Sequence, residues 1–353
     1  MDARLINFDQ ILGQDSAIAA IRRACSTNRL PHGLIFAGPA GVGKETTARA
    51  LAALFLCERP RELACCGACS SCRLMAAETH PDYHLIDRLL IRTIKDDSKA
   101  KELVIDVIRD FLLDKAANTS VMGAGKVFVV REAELMNAAA QNCLLKVLEE
   151  PPGRTLIILL TDQPDALLTT VRSRCQLIRF GRLDATVVAR VLAGQAVSAE
   201  QAQEAAQFAE GSVGLALRWL QDGVIERARQ LTGMLQELQA GRSAEGLRQW
   251  LMAAAEEYTK NQLARDELAS KDQVMREAVV VYLKLCGQYF DRRLSQLHGR
   301  ADALERCCAA IDAVLAAERL VEANVNLPLC VQQFVGALEE AFGVDESSVP
   351  AGR

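Results

Sequence analysis

Short apolar runs alternate with stretches of helical periodicity through the first half of the chain. The runs at 34–37, 127–130 and 156–160 have the length and make-up of buried strands, and 83–86 and 177–180 also suit strands. Between them, 14–24 places Ile18, Ile21 and Ala24 on one helical face, and 46–56 continues in the same way. Leu103, Val107, Ile108, Phe111 and Leu112 predict a helix over 101–113, and a further helix over 138–149 is closed by Pro151-Pro152. Strands that alternate with helices predict an α/β domain, a parallel sheet covered on both faces. After Phe180 the strand signals stop. Three short helical patterns follow at 185–192, 199–209 and 213–220, and long helices run from Gln221 to about Phe342. The expected organisation is an α/β domain over 1–181, a small helical domain over 182–221, an all-α domain over 222–343 and a flexible tail over 344–353.

Half of the 353 residues are apolar and 24% are charged, an ordinary globular composition that excludes extended disorder. No apolar run, 156–160 included, approaches the roughly 18 residues of a membrane span. Residues 1–4 (Met1-Asp2-Ala3-Arg4) lack the apolar stretch of a secretory signal, so a cytoplasmic location and no membrane partner are expected. Net charge is −4, and its distribution is uneven. Residues 1–181 carry 23 basic and 21 acidic side chains, and 182–353 carry 18 and 24. Contact with DNA would need a local basic patch.

Gly38-Pro39-Ala40-Gly41-Val42-Gly43-Lys44 follows a predicted strand and opens a helix. It fits G-x-x-x-x-G-K, the phosphate loop, in which Gly38, Gly41 and Gly43 let backbone N–H groups turn inward and Lys44 reaches the outer phosphates. The next position should carry a hydroxyl that ligates Mg²⁺, but here it is Glu45. Thr46 is one position late, about 100° around the helix. In phosphate-loop ATPases a later strand ends in a Mg²⁺-holding Asp. The run 127–130 is instead followed by Arg131-Glu132. Both protein groups that hold the metal are therefore missing, unless the strand is misregistered. Hydrolysis is expected to be lost, while the intact loop leaves ATP or ADP binding open. If no metal enters, Glu45 and Arg131 should pair with each other, with Lys44 competing for Glu45.

Five of the twelve cysteines lie between 57 and 72. Cys57-x8-Cys66-x2-Cys69-x2-Cys72 supplies four thiolates at the spacing of a closed structural zinc site. Cys65 is an adjacent competitor for Cys66. His80 and His84 are nearby but weaker candidates, and an iron–sulfur cluster is a lesser alternative.

With these motifs the chain resembles the clamp-loader subunits of bacterial DNA polymerase III, within the AAA+ ATPases. The resemblance rests on Leu30-Pro31-His32-Gly33, the phosphate loop, the cysteine spacing, His80-Pro81-Asp82, Asn142-Cys143-Leu144-Leu145-Lys146-Val147-Leu148-Glu149-Glu150-Pro151-Pro152 and Ser173-Arg174-Cys175. It covers about residues 5–220. Two subunit types share these motifs, the gamma/tau ATPase and delta prime, which generally does not hydrolyse ATP. Glu45, Arg131 and Gly214, which stands where the ATPase type has a nucleotide-sensing arginine, favour delta prime over an active gamma/tau type. A zinc-dependent DNA-binding protein with a vestigial loop is a third reading.

The resemblance implies an AAA+ domain, a helical lid and a helical collar. It implies a hetero-oligomeric ring with delta and three gamma/tau protomers. That ring loads the beta sliding clamp onto primed DNA as part of the DNA-directed DNA polymerase holoenzyme. It also implies that Arg174 reaches the ATP of a neighbouring subunit as a finger in trans. The helix that carries Lys146 would lie toward the DNA, with weak phosphate contact at most. The bland reading of Arg174 is a surface cation.

Overall fold

The five apolar runs form strands β1 (Gly33–Ala37), β2 (Tyr83–Ile86), β3 (Lys126–Val130), β4 (Thr155–Thr161) and β5 (Gln176–Arg179). All pair in parallel, in the order β2-β3-β4-β1-β5. The computed structural model describes residues 5–95, 102–195, 197–242, 246–265, 269–297 and 300–344. It divides into two compact units, Met1–Leu217 and Arg218–Arg353.

Within the first unit, β4 runs through the middle of the sheet and all seven of its residues are buried. It therefore reads as an unbroken apolar run, because both of its faces meet helices. Alternate side chains sort to the two faces. Leu34, Phe36, Val129 and Ile158 pack with Ile18 and Ile21 of helix α1 (Asp15–Ser26), Leu51 of α2 (Lys44–Leu56) and Met75 of α3 (Ser70–Ala76). Ile35, Phe128, Val130 and Leu159 pack with Leu144 and Leu148 of α4 (Ala138–Glu149). The result is the α/β phosphate-loop architecture the periodicity predicts, followed by helices alone.

The helix predicted over 101–113 is corrected. Residue 101 lies outside the described residues, and the helix begins at Ile105. The Leu103 backbone is engaged elsewhere, since its N–H donates to the Leu135 carbonyl at 2.9 Å and it bridges Met136. Both prevent it from turning helical. The helix also runs further than predicted, through a π turn at Arg109–Leu113 to Asp114–Ala117. Strand β5 sits one residue earlier than predicted, although the Phe180 N–H still donates to the Ala37 carbonyl at 2.7 Å.

His84 of the edge strand β2 stacks on Phe128 with ring centroids 4.9 Å apart. Burial, then the charge of Lys115, with smaller contributions from Lys126 and His80 and against the pull of Asp82, holds its imidazole down to about 4. The unfolded chain takes up that proton first, near pH 6.5. Stability from this group is therefore complete above about pH 6.5 and is lost as pH falls toward 4. The full shift is worth ~3 kcal/mol. The ring keeps partial contact with water, and screening reduces the expected loss to about half of that. Melting temperatures of the native chain and of His84→Phe at pH 7 and pH 5 check this. The variant should show the shallower dependence.

Helices α5 (Ala185–Ala193), α6 (Ala199–Phe208) and α7 (Val213–Gln221) follow the sheet, and α7 carries the chain into the second unit. That unit contains α8 (Val224–Gln239), α9 (Leu247–Arg265), α10 (Lys271–Leu294), α11 (Ala301–Glu322) and α12 (Leu327–Phe342). Its core includes Tyr282, Phe290, Phe334 and Leu338. Trp250 meets Tyr282 edge-on at 5.6 Å and Trp219 is buried, so both tryptophans pack. The carboxylate of Asp222 is wholly buried and is held by Arg265 at 2.5 Å and by Gln262 at 2.7 Å. Of the tail expected over 344–353, all but Val344 lies outside the described residues. Among the described residues no helix is long and apolar enough to cross a membrane.

Candidate functional site

The phosphate loop joins β1 to α2, and Gly43 caps the helix at φ +100, a backbone conformation that suits glycine. Lys44 turns back onto the loop. Its ammonium donates to the Gly38 carbonyl and, at 2.7 Å, to that of Pro39. Burial holds it below the usual lysine range, against the charges of Asp162 and Glu134.

Glu45 and Arg131 meet as the sequence leads one to expect, across 86 positions of chain. Arg131 Nε donates to one Glu45 oxygen at 2.8 Å and the Arg131 terminal nitrogen to the other, a two-point clasp. Asp87, at 3.6 Å from Arg131, extends the pair, a member that sequence reasoning missed. Tyr83 lies beside it, its hydroxyl pushed up to about 12 by burial and then by the Glu45 charge. Lys44 does not take Glu45. Thr46 is exposed, and Glu132 is turned onto Arg88 at 3.0 Å. The positions where an active relative collects ligands for Mg²⁺ thus hold a closed ion pair.

A second feature was only half visible in sequence. Ser212 and Gly214, at the head of α7, lie directly on the loop. The Gly214 N–H donates to the Gly41 carbonyl at 3.1 Å. A Cβ on Gly214 would come 2.9 Å from Gly41 Cα, and one on Gly41 would come 2.3 Å from Ser212 Oγ. Gly214 therefore does more than lack an arginine: its backbone rests where a side chain would need to pass.

Around the cysteines, Sγ of Cys57, Cys66, Cys69 and Cys72 all lie within 4.8 Å of one another. Sulfur separations of 3.7 Å (Cys72–Cys57), 3.9 Å (Cys66–Cys72) and 4.0 Å (Cys57–Cys69) match the ~3.8 Å edge of a tetrahedron with 2.3 Å metal–sulfur bonds. The span suits one ion and is too small for bridged irons and sulfides. Backbone N–H groups of Cys66, Cys69 and Cys72 donate to Sγ of Cys57, Cys66 and Cys69 at 3.3, 3.4 and 3.4 Å. The N–H groups of Ala68 and Cys69 pull the Cys66 thiol down to about 6, whereas burial pushes the Cys57 and Cys72 thiols up. These donors fit anionic sulfur.

Cys65 donates to Asn7 Oδ1 at 3.2 Å, and the four sulfurs that lie together are those of Cys57, Cys66, Cys69 and Cys72. His80 is outside the cluster. Its Nδ1 accepts the Asp82 N–H at 3.1 Å and its Nε2 meets Ser71 Oγ at 2.9 Å. Ser71 in turn donates to the Leu56 carbonyl at 2.8 Å, which ties α3 to the end of α2. His84 is likewise spent on stacking.

Arg174 lies at the other end of the sheet. Parallel pairing sets Leu34 beside Gln176 and Ala37 beside Arg179. Arg174 precedes the start of β5, whereas the phosphate loop follows the end of β1. About 10–13 Å of strand separates the two ends. Arg174 cannot serve its own loop. Around it three sequence motifs converge. His32 Nε2 bonds the Leu148 carbonyl at 2.8 Å. A Cβ on Gly33 would come 2.9 Å from Cys175 Sγ, 3.0 Å from Leu148 Cδ2 and 3.2 Å from the Arg174 carbonyl, so a larger residue would push these neighbours back. Arg174 itself reaches Glu149 at 2.6 Å. Lys146, on the same helix, is exposed.

Residues 13–184 match the family described as DNA polymerase III, delta subunit. The chain is 41% identical to DNA polymerase III subunit delta' of Pseudomonas aeruginosa over 144 residues, 41% of each chain. Over this stretch the chain is similar to the delta prime and gamma/tau subunits of bacterial DNA polymerase III. It is also 27% identical to subunit delta' of Bacillus subtilis, over 93% of this chain and 96% of that one. It is 30% identical to subunit gamma/tau of Mycobacterium tuberculosis, over 54% of this chain and 31% of that one. In the Pseudomonas match the chain spans about two fifths of its relative's length.

Proposed function

We propose that this chain is a delta prime-type subunit that assembles with gamma/tau and delta subunits into a hetero-oligomeric clamp loader. That complex places the beta sliding clamp on primed DNA. The chain hydrolyses no ATP itself and presents Arg174 to the ATP of a neighbouring protomer. The observation that carries this reading is the Glu45–Arg131 clasp, which neutralises both positions that would otherwise collect Mg²⁺. The engaged Lys44 and the Gly214 backbone over Gly41 support a vestigial role for Gly38, Gly41, Gly43 and Lys44. The cysteine-rich insertion would be held by one structural zinc on Cys57, Cys66, Cys69 and Cys72. Such an ion fixes a fold and offers no open position for chemistry. The three-part division at about residues 181 and 221 belongs to the same proposal, as AAA+ domain, lid and collar.

Release of labelled phosphate from ATP by the isolated chain is the direct test. Turnover should equal that of Lys44→Ala. Hydrolysis above that control would favour the active gamma/tau type, which the Mycobacterium match keeps in view. In the double variant Glu45→Thr, Arg131→Asp, Mg²⁺-dependent nucleotide binding should appear by calorimetry, without hydrolysis.

A further inference from the structure

The guanidinium of Arg174 is not free on the surface. One terminal nitrogen lies 2.6 Å from Glu149 Oε1, and the other donates to the Thr170 carbonyl at 3.0 Å. Both ends of the fork that a phosphate would engage are thus occupied within the chain. Glu149 is the last residue of α4, where the helix dipole disfavours a carboxylate, and the arginine offsets that. The carboxylate is also held in place. His32 fixes the neighbouring Leu148 carbonyl at 2.8 Å, and Gly33 lets Leu148 and Cys175 close on β1.

From this geometry we infer that Glu149 is a positioning residue that holds Arg174 withdrawn, and that the pair must open before Arg174 can reach a neighbour's nucleotide. The inference rests on the reading of Arg174 as a residue acting in trans. Two physical points give it direction. A carboxylate against the guanidinium cancels most of the charge that would stabilise a transferring phosphoryl group. Left in place, that carboxylate would also face the phosphates as a like charge. The pair is half-exposed, with side-chain accessibilities of 36% and 51%, so a more highly charged phosphate can displace Glu149 at little cost. Ring contact and ATP binding next door would thereby be coupled to release of the finger.

The test uses the assembled complex with Glu149→Gln, Arg174→Ala and the double variant, and reads ATP hydrolysis without clamp or DNA. Glu149→Gln keeps shape and removes charge at an exposed helix end. It should raise basal hydrolysis about two- to fivefold, the range set by an exposed ion pair, and lower the ATP concentration for half-maximal rate. Arg174→Ala should lower hydrolysis, and the double variant should match Arg174→Ala, because Glu149 acts only through that side chain. If Arg174→Ala slows hydrolysis while Glu149→Gln leaves it unchanged or slows it too, the holding role is wrong and the trans reading stands. If Arg174→Ala has no effect, the trans reading falls and the pair is an ordinary ion pair.

Discussion

Replacing Cys57 by serine is expected to strip the metal from the chain and loosen residues 57–82, with the parallel sheet still folded. Four thiols whose sulfurs stand 3.7–4.0 Å apart for the measured pairs form a closed tetrahedral set, and three cannot close it. Structural zinc in small cysteine sites is worth ~10–16 kcal/mol at neutral pH, so an ion held here would supply much of the order of the insertion. The effect should stay local. Val129, Leu156 and Ile158 are buried by helices α1 and α2 as well as by the cysteine segment. Elemental analysis should give one zinc per native chain and none for the variant. Limited proteolysis should then cut between 57 and 82, while the far-ultraviolet spectrum changes little. Freshly purified native protein without zinc would refute this. Chelation or acid should reproduce the variant, because the sulfurs bind metal only as thiolates.

Arg174→Ala should leave the isolated chain folded, able to bind zinc and able to join the complex, yet slow ATP hydrolysis at the adjoining site of the assembled loader. Arginines supplied in this way are worth about 10³ to 10⁵ in rate in the best-studied cases. In the proposed ring, three ATPase protomers would share the hydrolysis, so the loss should appear as a partial fall in total hydrolysis with a slow phase in clamp loading. Loss of assembly would instead make Arg174 an interface residue. The folded chain should tolerate the change, because the side chain is half-exposed and its partner Glu149 can return to water.

The features that were legible in the sequence are local ones. A fully buried parallel strand such as β4 must be apolar at every position, and a helix packed on one side must repeat at 3.6 residues, so each announces itself over a few residues. The cysteine set is equally local, four ligands within sixteen residues. The Glu45–Arg131 clasp was legible despite its separation, since the two departures fall on positions that converge in every phosphate loop. The order β2-β3-β4-β1-β5 was not legible, nor the late start at Ile105, set by a backbone bond from Leu103 to Leu135.

Only the tertiary structure placed Cys66 rather than Cys65 in the four-sulfur cluster, because neighbours in sequence differ by the direction in which the turn aims them. Only it brought Gly214 onto Gly41 and joined His32, Leu148, Glu149 and Arg174 at one end of the sheet. Those contacts span more than a hundred residues in two of three cases. No periodicity encodes them. They exist because parallel pairing of β1 with β5, and the packing of α4 against β1, carry distant motifs to the same few ångströms. Sequence therefore determined which residue types were available to this protein, and the crossing of its strands decided which of them face one another.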